Sequence, residues 1–193
     1  MKFWQNKDFR LYAGGGLVAI GLIILIKKLV NKETLIDYSK YKWYNNTRTR
    51  GYFDKLHPKF RPLVAKWFSK VEDAGMEVYP TSGYRSFAEQ IKLHAENPSN
   101  AKPGYSYHNF GLAIDVNIFK DGKNIAKKNQ SCQHWKDTGV VKMAQDSGIR
   151  WMCDFGSYHD PVHFDLVFSG LNTTILRERV NAGKVDKNGY VII

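Results

Sequence analysis

From Val162 to Phe168 the chain alternates, with His163 and Asp165 on one side of an extended segment and Phe164, Leu166 and Phe168 on the other. Successive side chains of a strand point to opposite faces. Such a segment can therefore bury apolar residues while holding an imidazole toward a cleft. Ala113 to Phe119 alternates in the same way and is β-rich, which puts Asp115 on a strand that ends before the Asp121-Gly122 turn. Phe60, Leu63, Val64, Trp67, Phe68 and Val71 recur at three- and four-residue steps and mark a core helix ending near Gly75. Met76 to Pro80 reads as a short strand and Thr81 to Arg85 as the loop leaving it. Ser86 and Glu89 have capping-box spacing, so a helix starts there and runs through Gln90, Ile91 and Leu93. Arg85 thus stands at a junction between strand end and helix start, a common place for side chains that reach into a cleft. Further on, the pattern predicts a helix over 135–147 closed by Gly148, a short strand over 149–152 and a helix over 173–180. A turn at Asn188-Gly189 precedes a terminal strand.

The 193 residues suffice for one domain with a core and an appendage. The appendage is N-terminal. Leu11 to Ile26 carries no charge and is followed by Lys27, Lys28, Leu29 and Val30; as a helix it reaches about 24 Å, enough to span with the lysines snorkelling. No small-x-small cleavage site follows, so the reading is an uncleaved anchor over 1–32, with residues 11–30 in the membrane. Lysines and an arginine flank the run on both sides, so charge bias assigns no orientation. Residues 33–54 are basic and aromatic, read as a tether that packs its rings on the domain or rests near lipid headgroups. The same composition can bind single-stranded nucleic acid, but no specific nucleic-acid partner is expected. Residues 55–193 are then the folded domain. The net charge of +11 favours anionic partners without choosing among nucleic acid, lipid and wall polymer. Cys132 and Cys153 lack the close paired spacing of a structural metal site, leaving one disulfide or two buried thiols.

The chemistry-bearing groups concentrate in two stretches, residues 106–115 and 159–164. His108, Asp115 and His163 offer two imidazoles and a carboxylate, a donor set for a zinc ion with one coordination position left open. Gly111 between the first two permits the sharp turn that would bring a loop histidine and a strand aspartate to one ion. Asp160, three positions before His163, would serve as general base and acid, and Arg85 as the cation for a substrate carboxylate or an oxyanion. Taken singly, each residue has an ordinary alternative, such as a hydrogen-bonded histidine or a turn-initiating aspartate before proline. His159 has no evident role and reads as a surface neighbour.

Ser106-x-His108-x-x-Gly111-x-Ala113-x-Asp115 resembles the first zinc motif of the D-alanyl-D-alanine carboxypeptidase and L-alanyl-D-glutamate endopeptidase family of bacterial and phage zinc peptidases. Ser82-Gly83-Tyr84-Arg85-Ser86 with Gln90 resembles that family's substrate-side motif. Asp160-x-x-His163-Phe164 resembles its acid/base and third ligand. The likeness runs in the correct order over about residues 55–170. It implies a small α+β fold, a mixed or antiparallel sheet with helices packed on one side as in the hedgehog signalling domain, here preceded by a membrane helix. It also implies Zn2+ on His108, Asp115 and His163, Asp160 and Arg85 as catalytic residues, and Ser82, Tyr84, Gln90 and Ser106 as substrate-binding residues. The substrate would be peptidoglycan, and the activity that of an endolysin-type L-alanyl-D-glutamate endopeptidase on the extracytoplasmic or periplasmic side of the inner membrane. Two alternatives stand beside it: a D-alanyl-D-alanine carboxypeptidase, and a non-catalytic zinc-binding module on a membrane or virion. One departure is Val162, not proline, directly before His163. An Asp rather than a Glu at position 160 leans toward the L-alanyl-D-glutamate bond. Oligomeric state is not legible.

Overall fold

Three segments that alternate in sequence pair into one antiparallel sheet. In the computed structural model, which describes residues 37–155 and 159–193, β1 (Glu77–Ser82), β2 (Ala113–Lys120), β5 (His163–Asp165) and β4 (Arg150–Trp151) lie in the order β1-β2-β5-β4. A fifth strand, β3 (Lys123–Ala126), folds back on β2 through Asp121 and Gly122, both at positive φ. The turn was legible in the sequence. The returning strand was not, because Lys123 to Ala126 carries little alternation of its own.

Register decides what the sheet presents. Phe164 lies opposite Ile114 on one side and Trp151 on the other, so all three point to the same face. That face is the core: the Phe164 ring packs 4.3 Å from Trp67 and 5.9 Å from Trp135, centroid to centroid. Trp67 belongs to the expected core helix, α3 (Arg61–Asp73), whose Val64, Trp67, Phe68 and Val71 are buried and whose start is favoured by Pro62 in its first turn. On the opposite face Asp115 pairs with His163, and Asp165 pairs with Arg150. Ser82 on β1 is brought beside Asp115 by a register shift after Pro80. A row of polar groups from four strands therefore crosses one face of an otherwise apolar sheet.

The aromatic segment before the core helix packs its rings on the domain. It forms α1 (Lys42–Asn45) and α2 (Thr47–Phe53), and Trp43 and Phe53 are buried, their rings 5.0 Å apart with Phe68 next to Trp43. Tyr38 to Ile193 forms one compact unit. The span expected over residues 11–30 lies outside the described residues; among those described, no helix is long and apolar enough to cross a membrane.

The capping box is present: Ser86 Oγ accepts from Glu89 N, Ser86 N donates to the Glu89 carboxylate, and α4 (Phe87–Glu96) follows. The helix expected over 135–147 is instead two, α5 (Cys132–Asp137) and α6 (Val140–Gln145). Gly139 between them takes a left-handed conformation with φ 77°, and the first helix starts three residues early on the Ser131 cap. Strand β5 is shorter than its alternating pattern, although Leu166 N still donates to Leu112 O. The last helix, α7 (Thr173–Asn181), is as expected, whereas the terminal strand reduces to one bridge between Val185 and Val191. His57 fixes that tail by donating from Nε2 to Val191 O over 2.9 Å.

Of the two readings of the cysteines, the structure has the disulfide Cys132–Cys153, which ties the start of α5 to the turn after β4. It closes a loop of sequence separation 21. Replacing both cysteines by serine is expected to lower unfolding free energy by about 3 kcal/mol, read from denaturant titrations with midpoint and slope both fitted.

Candidate metal centre and catalytic cleft

Short-range geometry brings the motif together. Tyr107–Phe110 forms one 3₁₀ turn, and Gly111 ends it at φ 67° before β2 begins. His108 thus projects from the turn and Asp115 from the strand, toward the same point. His108 Nδ1 donates to Gly83 O over 2.7 Å, and a carbonyl can only accept, so Nε2 keeps its lone pair. His163 Nε2 faces Asp165 Oδ2 at 3.4 Å, which leaves Nδ1 on the cleft side. The remaining atoms converge: His108 Nε2 to Asp115 Oδ1 is 3.2 Å, His108 Nε2 to His163 Nδ1 is 3.2 Å, and His163 Nδ1 to Asp115 Oδ1 is 2.9 Å.

Three electron-pair donors so close repel one another unless a cation lies among them. A tetrahedral ion about 2.0–2.1 Å from each ligand spaces its ligands about 3.3 Å apart, close to these separations. The donor set therefore fits a zinc ion. In the metal-free protein a proton stands in for the ion. Burial alone would push the His163 imidazole down, but its hydrogen bonds to Asp115 and Asp165 push it up to about 10. Burial would raise Asp115, yet His108 and His163 hold its carboxyl far below the ordinary carboxylate range.

Around this point lies a cavity of about 370 Å³ whose lining includes Arg85, Ser106, His108, Asp115, Asp160 and His163. A second hollow adjoins it, sharing Asp115, Asp160 and Lys128 and continuing past Ser82 and Asn117, so among the described residues the cleft continues on both sides of the donor cluster. Asp160 Oδ1 is buried without a hydrogen-bond partner among the described residues. Burial first, and then the Asp115 charge, raise its carboxyl above the ordinary value. Arg85 is braced: Nη2 donates to Ser82 Oγ and Nη1 to Gln90 Oε1, both over 2.8 Å. Gln90 is fully buried, and its amide also donates to Ala101 O, so it holds the guanidinium. Tyr84 is 46% exposed and lines a different hollow, on the outer side of the loop. His159 is exposed, with Nδ1 3.3 Å from Cys132 Sγ.

Three residues of the site were not singled out from the sequence. Asp165 is buried and accepts two hydrogen bonds from Arg150, Nε at 2.7 Å and Nη2 at 2.6 Å. Burial would raise its carboxyl, but Arg150 holds it below the ordinary range, so it stays an anion against His163. The alternation had put Asp165 on the His163 face, which was the available signal; Arg150 had none. Asn109 also braces the loop, donating to Arg85 O and accepting from Gly104 N.

Gly111 is confined twice over. A Cβ there would meet His57 N at 2.8 Å and Lys55 O at 3.2 Å, both backbone atoms, at a positive φ. Gly111→Ala is expected to cost about 2–4 kcal/mol from left-handed strain and overpacking, and to reduce zinc binding because His108 and Asp115 flank the turn. Thermal melts with and without zinc test this.

Two imidazoles and a carboxylate around an open position, beside a buried acid without a hydrogen-bond partner among the described residues, are the groups a metallopeptidase uses. The family described as D-alanyl-D-alanine carboxypeptidase matches residues 99–166. The peptidoglycan L-alanyl-D-glutamate endopeptidase CwlK of Bacillus subtilis (strain 168) is 29% identical over 150 residues, covering 70% of this chain and 89% of CwlK. Among solved structures, the Serratia marcescens L-Ala D-Glu endopeptidase ChiX aligns with TM-score 0.48 at 20% identity, over 64% of this chain and 89% of ChiX. The vancomycin-resistance D,D-pentapeptidase VanY, in complex with Zn(II), aligns with TM-score 0.46 at 20% identity, over 64% of this chain and 78% of VanY. The chain is thus similar, over residues 99–166, to the family described as D-alanyl-D-alanine carboxypeptidase and, over most of its folded domain, to the L-alanyl-D-glutamate endopeptidase CwlK.

Proposed function

We propose that the protein is an endopeptidase that cuts peptidoglycan stem peptides between L-alanine and D-glutamate, with its domain held outside the inner membrane by residues 11–30. The observation that carries the choice of an internal bond is the cleft, which continues on both sides of Asp115 and Asp160. A carboxypeptidase needs a wall where the chain ends; an open groove admits a chain that runs on. The aspartate at position 160 and the likeness to CwlK favour the same bond.

In this reading His108 Nε2, Asp115 Oδ1 and His163 Nδ1 would hold a zinc ion. The chemistry zinc supplies when bound is Lewis acidity, which lowers the pKa of a coordinated water toward neutrality and polarises a carbonyl. Asp160 does the proton work: its unpartnered Oδ1 takes a proton from the attacking water and returns it to the leaving amine. Its raised pKa makes it a stronger base than a solvated aspartate for taking up that proton. Arg85, held by Ser82 and Gln90, keeps donors directed into the cavity for a substrate carboxylate or the developing oxyanion. Gly83 O and Asp165 orient the two imidazoles.

The charge-free run before the domain supports the anchor, and the disulfide supports an oxidising compartment. In this arrangement the N-terminus lies inside and the domain outside; a reporter fused after Ile193 that works only in the cytoplasm would overturn it. Mass analysis of digested peptidoglycan tests the bond. The expected fragments expose a new amino group on D-glutamate. Release of terminal D-alanine alone would establish the carboxypeptidase, and zinc binding without any release the non-catalytic module.

A further inference from the structure

We propose that the hollow between Tyr52, Tyr84 and the Lys92–Glu96 face of α4 is a binding subsite for an N-acetylated amino sugar of the glycan strand, an inference that rests on the L-alanyl-D-glutamate reading. This hollow, of about 340 Å³, shares Arg85 with the catalytic cavity and Ser82 with the hollow that adjoins it. The loop grips His108 from both ends: Gly83 O accepts from its Nδ1, and Arg85 N donates to its carbonyl over 3.0 Å. Tyr84 is the residue between those two contacts, so its half-exposed ring begins one residue from the donor cluster.

The aromatic wall is fixed in place. Tyr52 donates from its hydroxyl to Thr81 O over 3.3 Å, lies under the Arg48 guanidinium at 5.5 Å, and packs so closely on Gly83 that a Cβ there would meet its ring at 3.1 Å. Across from it, α4 presents Lys92 and Glu96, both exposed. Glu89, also in the lining, is engaged in the capping box, so the ammonium of Lys92 and the carboxylate of Glu96 are the charged groups left to meet hydroxyl and acetamido groups. Two rings with facing hydrogen-bonding groups suit a pyranose, which has an apolar face and a polar rim.

The chemistry of the substrate says why such a site belongs here. The L-alanine of a stem peptide is amide-linked to the lactyl group of muramic acid. Cutting after it puts the sugar within about two residue lengths, about 7 Å, of the reacting carbonyl. A cut at the far end of the stem would leave the sugar about five residue lengths, about 17 Å, away.

The test compares kcat/KM of the full-chain protein on a muramoyl-linked stem peptide and on the same peptide without sugar, together with NMR titration of the free disaccharide. The expected result is a preference of about tenfold or more for the sugar-linked substrate, carried in KM, with Tyr84→Ala and Lys92→Ala each bringing the ratio toward one. Tyrosine ring signals of Tyr52 and Tyr84 shift on adding disaccharide. An unchanged ratio in both variants, with the bond still cut, overturns the sugar subsite and leaves the peptidase reading intact. Were the bond not cut at all, the peptidase reading would fall, and the titration decides the subsite by itself: no shift of those signals at millimolar disaccharide overturns it.

Discussion

Asp160→Asn is expected to lower the release of new amino groups from peptidoglycan by about 10²–10⁴-fold while leaving one zinc bound per chain. The substitution keeps size and shape, so it removes only the capacity to accept a proton. That capacity is distinctive here because Asp160 Oδ1 is buried and has no hydrogen-bond partner among the described residues, whereas Asp115 and Asp165 are saturated by imidazole and guanidinium contacts. An aspartate kept for structure would be paired. Zinc content by elemental analysis and turnover on the same sample separate loss of chemistry from loss of metal. Full turnover by the asparagine variant would move the proton transfer to another group, and loss of zinc together with turnover would make Asp160 part of the metal site instead.

The contrast between Asp160 and its neighbours also shows what the sequence could and could not reveal. Local rules were sufficient where one segment decides its own conformation: the Ser86 and Glu89 cap, the apolar stripe of Phe60 to Val71, and the alternation that turns His163 to one face and Phe164 to the other. The spacing of His108, Gly111 and Asp115 was legible for the same reason, since a turn ending at Phe110 and a strand starting at Ala113 leave little freedom. What depended on register was hidden. Arg150 reaches Asp165 only because β4 pairs with β5 in one particular alignment, and nothing within residues 149–152 announces it. Gln90 and Tyr84 sit in a motif read as substrate-binding; that Gln90 holds Arg85 from the wall of the cleft while Tyr84 lines an adjoining hollow was visible only in the fold. The pairing of Cys132 with Cys153 likewise depends on two loops meeting, which spacing alone left open.

Zinc affinity is expected to rise about tenfold for each pH unit between about pH 6 and pH 9, a total of about 10³, because the metal must displace a proton from His163. In the metal-free protein the imidazole is raised to about 10 from its ordinary 6.5: burial opposes the charge, but Asp115 and Asp165 outweigh it. The signs follow. A raised folded-state pKa stabilises the metal-free fold fully below about pH 6.5, and that contribution is lost as pH rises through about 10. Metal binding runs the other way, since fewer protons compete as pH increases. Competition with a chromophoric chelator across that pH range, on the Asp160→Asn protein to suppress autolysis, measures the slope directly. Asp165→Asn removes one of the two carboxylates that hold the proton and also frees the ring to rotate, so two effects separate. Affinity at high pH falls by about 10–100-fold through lost orientation, and the slope flattens from a lower pH because the imidazole gives up its proton sooner. Affinity independent of pH over the whole range would mean that His163 carries no proton for zinc to displace.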